Sequence, residues 1–409
     1  MPAASRPVYQ ANQLRPDNQS GWAIWHPPAV RSGRDLRLDA LRGFLLVAMA
    51  VNHLDTELRV LTDYPFGFVS SAEGFVFLSG LVAGLVYTRR MTTLSPPELR
   101  QKAWHRAGQI YLAHLTSFAI ALVGLNLVVL CKIPDTFAAP PAFCEHPVRS
   151  LLLGASLLYQ PGLLDILPMY CGFMLALPLM LGALRKGHWG RLLALSGSLW
   201  LLSQLGLRDQ AARWLQTFLP VNLGAFDILA WQLLFVLGTI FGYYWATASK
   251  PLLSFRPAML ALCLFVAVPL WFCIKYHDLP AGLSMNMVWS WADKTHIAPL
   301  RLVNFVVLAY LIAAVAVHRP RFLTIRPLAF LGRNSLVVFT AQATICFFVL
   351  TQPGLFATFA SRTMTAVAMV TLLFPAAWLN ERIARRRLHR NFLPTRKSAD
   401  LAPPSREVA

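Results

Sequence analysis

Charge is what this sequence has least of. Only 13% of its 409 residues are Asp, Glu, Lys or Arg, about half the share of an ordinary soluble domain. Acidic residues are scarcer than basic ones, 18 against 37. So few charges do not cover the surface of a water-soluble globule. The six cysteines form no C-x-x-C, and the ten histidines are scattered without an H-E-x-x-H, so no metal site is expected. A G-x-S-x-G elbow and a G-x-x-x-x-G-K-[ST] phosphate loop are both missing. The net charge of +19 does not imply nucleic acid, because the cations fall between apolar runs, as topology signals do.

Long apolar runs are present along nearly the whole chain, which is 56% hydrophobic. A helix of roughly 20 such residues crosses a hydrocarbon core of about 30 Å. A β-barrel would alternate instead. The reading is an all-α polytopic membrane protein of one domain, residues 36–381, with spans at about 37–58, 66–88, 107–130, 163–184, 191–207, 227–247, 257–276, 299–317, 328–350 and 358–380. The apolar stretch 148–160 is too short to span and reads as a half-helix or surface helix. Residues 1–35 read as a disordered cytoplasmic tail with no cleavable signal peptide. Residues 382–409 read as a basic cytoplasmic tail. Cys171, Cys263, Cys273 and Cys346 fall in apolar runs and read as packing residues. Cys131 and Cys144 flank a polar loop and are placed to pair if that loop is periplasmic.

Threaded this way, 27 of the 37 Lys and Arg fall on the side of the termini, nine on the other, and Arg42 inside the first span. The bias puts both termini in the cytoplasm.

The first span, "LDALRGFLLVAMAVNHLD" from Leu38 to Asp55, carries polar groups where lipid is expected. Arg42 and His53 are 11 residues apart, about 20° from whole turns and about 16 Å along a helix. They share one stripe, with Asp39 nearly on it. Ionisable groups at such depth cost about 2.5–3.5 kcal/mol each on insertion scales and face the protein interior or a wet cavity. For Arg42 one reading is a structural pair with Asp39; the other is a ligand site. For His53 the alternatives are a satisfied core histidine or a reacting group. On the second helix, "SSAEGFVFLSGLVAG", Glu73 is placed to approach His53 and orient it, or to sit in interfacial water. Gly80 and Gly84 form a small-xxx-small pair for close helix packing.

Arg-x10-His followed by "FVFLSG" resembles the transmembrane acyltransferases of the acyltransferase-3 type, with related patterns in heparan-α-glucosaminide N-acetyltransferase. "DALRGFLLVAMAVNH", "EGFVFLSG", "LLYQPGLLDILPMY" and "LGRNSLVVF" resemble the OpgC family over most of residues 34–380. The resemblance implies about ten helices in the bacterial inner membrane, and transfer of an acyl group, succinyl in that family, from cytoplasmic acyl-CoA to a periplasmic glucan. It implies His53 as the catalytic histidine and Arg42 as the acyl-donor arginine. Glu73-Gly-Phe stands where acyltransferase-3 proteins tend to have Asp-Leu-Phe-Phe. Acyl-CoA enters as a co-substrate, not a resident cofactor; the expected partners are acyl-CoA, the glucan and membrane lipids.

Basic residues on the cytoplasmic side suit the phosphates of CoA. Arg326, Arg333 and Asn334, before the ninth span, fit that role or a purely topological one, and Asp39 is grouped with Arg42 on the donor side. His53 would act as general base or carry the acyl group itself. "YQPGLLDILPMY" offers Gln160, Asp165 and Tyr170 to sugar hydroxyls, or a helix cap followed by core. Trp231 and Gln232 face the sugar or belong to an interfacial belt. Arg301, near Asn304, is the chosen cation for the free carboxylate of a succinyl group. The rival class is a proton-coupled transporter or flippase of a glycan or anionic solute, in which Asp, Arg and His would line a path. Transporters of that kind show inverted repeats and paired broken helices, and one broken region is visible here. A non-catalytic scaffold would not need Arg42 and His53 on one stripe.

Overall fold

The computed structural model describes residues 23–25, 34–130, 146–248, 253–276, 284–350 and 352–392. Among them are fourteen α-helices and one small ribbon. The helices are α1 (Leu36–Asn52), α2 (Ser71–Arg90), α3 (Pro96–Leu130), α4 (Pro147–Ala155), α5 (Ile166–Arg185), α6 (Trp189–Gln204), α7 (Leu207–Gln216) and α8 (Ile228–Thr247). They continue with α9 (Pro257–Tyr276), α10 (Met285–Trp291), α11 (Pro299–His318), α12 (Arg326–Arg333), α13 (Ser335–Leu350) and α14 (Phe359–Phe392).

Seven helices are long and apolar enough to cross a membrane: α2, α3, α5, α8, α9, α11 and α14. The expected ninth span is instead the pair α12 and α13, bent by 87° at Asn334. Two more expected spans are short, 17 residues for α1 and 16 for α6. At 1.5 Å per residue these reach about 24–26 Å. The stretch after Ala155 does not continue as helix; α4 has nine residues.

Two departures concern the tails. Ala23–Trp25 (β1) pairs antiparallel with Leu253–Phe255 (β2), between α8 and α9, so part of the expected tail is tied to the bundle. Helix α14 runs to Phe392, into the stretch read as the basic tail of residues 382–409. Cys131 and Cys144 lie outside the described residues.

Helix α2 is central, with 72% of its apolar window buried, whereas α9 has 11% and is peripheral. The centre is built on glycine. A methyl on Gly80 or Gly84 would strike the carbonyls of Phe235 and Thr239 in α8, and one on Gly238 or Gly242 would strike those of Phe77 and Leu81 in α2. Both helices thus carry a small-xxx-small face, which lets the backbones touch where lipid offers no hydrophobic drive. The same device joins α1 to α12: Cβ atoms at Gly43 and Gly332 would collide with the carbonyls of Leu328 and Asp39. This contact brings the break at Asn334 against the polar stripe of α1.

The break has its own chemistry. Asn334 donates from Nδ2 to the Phe330 carbonyl (3.0 Å) and to Glu381 Oε1 (3.3 Å), and accepts from Asn380 Nδ2 (2.7 Å). Its side chain thereby ties the bend to α14.

Candidate functional site

A cavity of about 910 Å³ opens at one end of the bundle, within the size range of small-molecule sites. Arg34, Arg90, Lys102, Arg106 and Arg333 ring its mouth, together with the single carboxylate Glu98. Along α2 the lining runs from Arg90 to Phe75, 15 residues and about 22 Å of helix rise. Its deep end is formed by Arg42, Phe75, Tyr170, Phe235, Ser335 and Phe339. The five rim cations come from four chain segments, and all belong to the terminus-side set of the charge count.

Arg42 is half-buried on the cavity wall. Its Nη2 donates to Ser335 Oγ at 2.5 Å, and its guanidinium carbon lies 5.9 Å from the Phe75 ring centroid. Its Nε is buried without a partner. No carboxylate among the described residues is within ion-pair distance of it. The expected structural alternative for Arg42 does not form, because Asp39 Oδ2 faces Arg34 Nε at 3.6 Å instead. Asp39 itself is buried and does not line the cavity.

His53 closes α1 in helical conformation, its N–H bonded to the Met49 carbonyl at 3.1 Å. The stripe from Arg42 therefore persists to His53, with Met49 between them, 7 residues on from Arg42 and two whole turns apart to within about 20°. His53 is not part of the cavity lining. Its Nδ1 is buried and unpartnered, and its ring makes no hydrogen bond to a described residue. The charges acting on it are those of Lys294 and Arg59.

Glu73 is wholly buried, and both its oxygens are engaged away from His53. Oε2 accepts from Ser70 N (2.9 Å) and Ser70 Oγ (2.6 Å), closing the capping box of α2. Oε1 accepts from Arg301 Nη1 at 2.7 Å. Arg301, 1% exposed, also donates from Nε to the Ala292 carbonyl at 2.7 Å. The guanidinium expected to meet an acyl carboxylate is thus already neutralised by a side chain of its own protein. Nearby, Asn304 Oδ1 accepts from Phe68 N at 2.6 Å and fixes the turn through Gly67, whose φ is +105°.

The other expected site residues separate. Tyr170 lies at the deep end of the cavity beside Arg42, its hydroxyl donating to the Phe75 carbonyl at 3.1 Å. Gln160 and Asp165 belong to the opposite end. There Asp165 Oδ2 accepts from Ala225 N at 2.8 Å, and Gln160 Nε2 donates to the Leu157 carbonyl at 2.8 Å. Trp231 is wholly buried, and its Nε1 donates to the carbonyls of Lys294 (3.2 Å) and Thr295 (3.0 Å). With its ring enclosed it presents no face to a sugar. Gln232 is bonded to Ser196. Of the three basic or polar residues expected before α13, Arg333 lines the cavity, Arg326 is exposed outside it, and Asn334 is held by α14.

Sequence reasoning missed the rest of the rim and Ser335. The cytoplasmic basic residues are matched to CoA phosphates only as a group, without singling out Arg34, Arg90, Lys102 or Arg106. Ser335 follows the Arg333-Asn334 pair in "LGRNS", and an unbroken span would have pointed it elsewhere.

Comparison with curated proteins and with solved structures gives no match. A family model described as OpgC protein matches residues 34–385. This stretch contains every residue that lines the cavity and the stripe of α1, so the chain belongs to the OpgC protein family.

Proposed function

We propose that this membrane acyltransferase of the OpgC type moves a succinyl group from cytoplasmic acyl-CoA to hydroxyls of a periplasmic glucan, in the inner membrane with both termini cytoplasmic. One observation carries the reading: an arginine without a counter-charge among the described residues, at the deep end of a cation-rimmed cavity, on the same helix stripe as a histidine whose ring makes no hydrogen bond to a described residue.

The charge bias of the loops turns the cavity mouth to the cytoplasm. The rim then suits the 3′-phosphate and pyrophosphate of CoA, since guanidinium and ammonium groups bind phosphate oxygens by charge-assisted hydrogen bonds. Arg42, beside Ser335 and Tyr170, meets the polar pantetheine arm as it enters the membrane. Phe75 and Phe339, with ring centroids 6.4 Å apart, wall the deep end of the cavity, and Met49 is buried between Arg42 and His53 on the α1 stripe. They must part for the thioester to advance. The acceptor hydroxyl arrives from the far side, where Gln160 and Asp165 lie.

In the reaction the hydroxyl oxygen bonds to the thioester carbonyl carbon and the C–S bond breaks. His53 takes the hydroxyl proton, and the thiolate of CoA leaves with a proton from the imidazolium. A free imidazole nitrogen is what such a base needs.

The test is release of CoA from succinyl-CoA by the purified protein, with and without glucan. Glucan-dependent release by wild type and its loss in His53→Ala are expected. Appreciable turnover by a folded His53→Ala variant would overturn the assignment of the base, and no glucan-dependent release by wild type would overturn the reaction.

A further inference from the structure

The outer end of the bundle holds a second polar construction, formed by residues 292–298. Every carbonyl from Ala292 to Ile297 in this segment is taken. Arg301 Nε holds Ala292 O, Trp231 Nε1 holds Lys294 O and Thr295 O, Gln204 Nε2 holds His296 O at 2.6 Å, and Trp200 Nε1 holds Ile297 O at 2.9 Å. Ala298 N closes on Asp293 O at 3.0 Å. The His296 ring is clamped between Asp293 Oδ2 (2.8 Å) and Asp209 Oδ2 (3.1 Å). The segment also carries Ile297 at φ +48°, a left-handed conformation that a β-branched residue avoids. Such strain persists only where surrounding structure over-determines it, and it gathers at functional sites.

All this fixes the backbone under one side chain that the segment does not itself use. Lys294 is half-buried. Its ammonium lies 5.9 Å from the Phe226 ring centroid and makes no hydrogen bond or ion pair with a described residue. The other buried or half-buried cations of that end differ: Arg59 holds Asp63 (3.0 Å), Arg208 holds Asp209 (3.3 Å), Arg301 holds Glu73 (2.7 Å) and Arg362 holds Glu57 (2.6 Å); Arg149, Arg213 and Lys275 are unpaired among the described residues but exposed to solvent. Lys294 is close enough to act electrostatically on both His53 and Asp165, yet Asp165 stands beyond ion-pair distance and accepts from Ala225 N instead. A half-buried cation without a counter-ion is costly, and here the backbone that carries it is held at every carbonyl from Ala292 to Ile297.

We propose that Lys294 is the receptor for an anionic group, a carboxylate carried by one of the two substrates, that comes to lie beside His53 during transfer. The inference rests on the acyltransferase reading and assigns to Lys294 the role that sequence reasoning gave to Arg301. The carboxylate has two possible sources, the distal end of a dicarboxylic acyl group or an acidic substituent on the glucan.

The experiment uses the full-length protein with succinyl-CoA and acetyl-CoA as donors, and with neutral and carboxylate-bearing glucan as acceptors. It compares wild type, Lys294→Gln and Lys294→Arg. Loss of one charge-assisted contact is worth about 10- to 150-fold. The succinyl-over-acetyl preference in kcat/KM should fall by that factor in Lys294→Gln and return largely in Lys294→Arg, with thermal stability matched. If the preference that collapses is instead for the charged glucan, the carboxylate belongs to the acceptor and Lys294 keeps its role. An equal change across all four substrate pairs in a stable Lys294→Gln variant overturns the proposal. No transfer from either donor by wild type overturns the acyltransferase reading, and this inference with it.

Discussion

Arg42 and Arg301 are two arginines inside one helical bundle, and they are held in opposite ways. Arg301 is enclosed, with Glu73 on one nitrogen and a carbonyl on another. Arg42 faces a cavity, with one hydroxyl contact and a buried Nε left over. Both lie at depths where charge is expensive. The difference is the counter-charge. A pair that neutralises itself builds the fold, whereas a cation kept without one, in a space open to solutes, is arranged for something that arrives. The same contrast divides Glu73 from His53, since the carboxylate has every partner it needs and the imidazole has no hydrogen-bond partner among the described residues.

The comparison breaks first at His53. His53→Ala should lower acyl transfer by about 10²- to 10⁴-fold, the usual worth of a positioned base, with unchanged melting in detergent. Glu73→Ala should do the reverse at the level of the fold. Removing one partner of a buried pair costs about 3–5 kcal/mol, so this variant should melt early or fail to accumulate. Replacing both Glu73 and Arg301 with apolar residues of similar size should recover much of the loss. A stable Glu73→Ala variant lacking only activity would move Glu73 from scaffold to site.

Arg42→Ala comes next. Equilibrium titration with succinyl-CoA should show affinity reduced by about 10- to 150-fold, from the loss of one charge-assisted contact. Arg42→Lys should recover part of it, because an ammonium lacks the planar two-pronged donor geometry. Unaltered donor affinity in a folded Arg42→Ala variant would make its bond to Ser335 structural and erase the contrast with Arg301.

The fold was largely legible. Apolar runs located the helices, and the five cations at the cavity mouth all come from one side of the charge count. The stripe of α1 was legible too, since 3.6-residue periodicity fixes which side chains share a face. What failed was pairing between distant segments. Nothing in the spacing shows that Glu73 meets Arg301, 228 residues away. Yet Ser70-Ser71-Ala72-Glu73 is a capping-box pattern, and it signalled that this carboxylate had a local duty. The bend at Asn334 was hidden because the run to Leu350 is apolar on both sides of it. Trp231 was misjudged because an indole near a span end suits a membrane interface as well as it suits a buried donor.

The smallest expected effects lie at the rim, and they sharpen the contrast between mouth and depth. Arg90 and Lys102 line the mouth without an ion-pair partner among the described residues. Lys102 is exposed and Arg90 is exposed beside Tyr87, so water competes for each. Exposed charge pairs are worth about 0.2–1 kcal/mol, so Arg90→Ala or Lys102→Ala should raise the donor KM by no more than about fivefold. The Debye length falls from about 10 Å at 0.1 M salt to about 3 Å at 1 M. The rim effects should therefore fade at high salt, while the loss in Arg42→Ala, at the closed end of the cavity, should remain. Measuring donor KM for the three variants at both salt concentrations decides it. A rim effect indifferent to salt, or an Arg42 effect abolished by it, would show that mouth and depth are not the different environments the geometry describes.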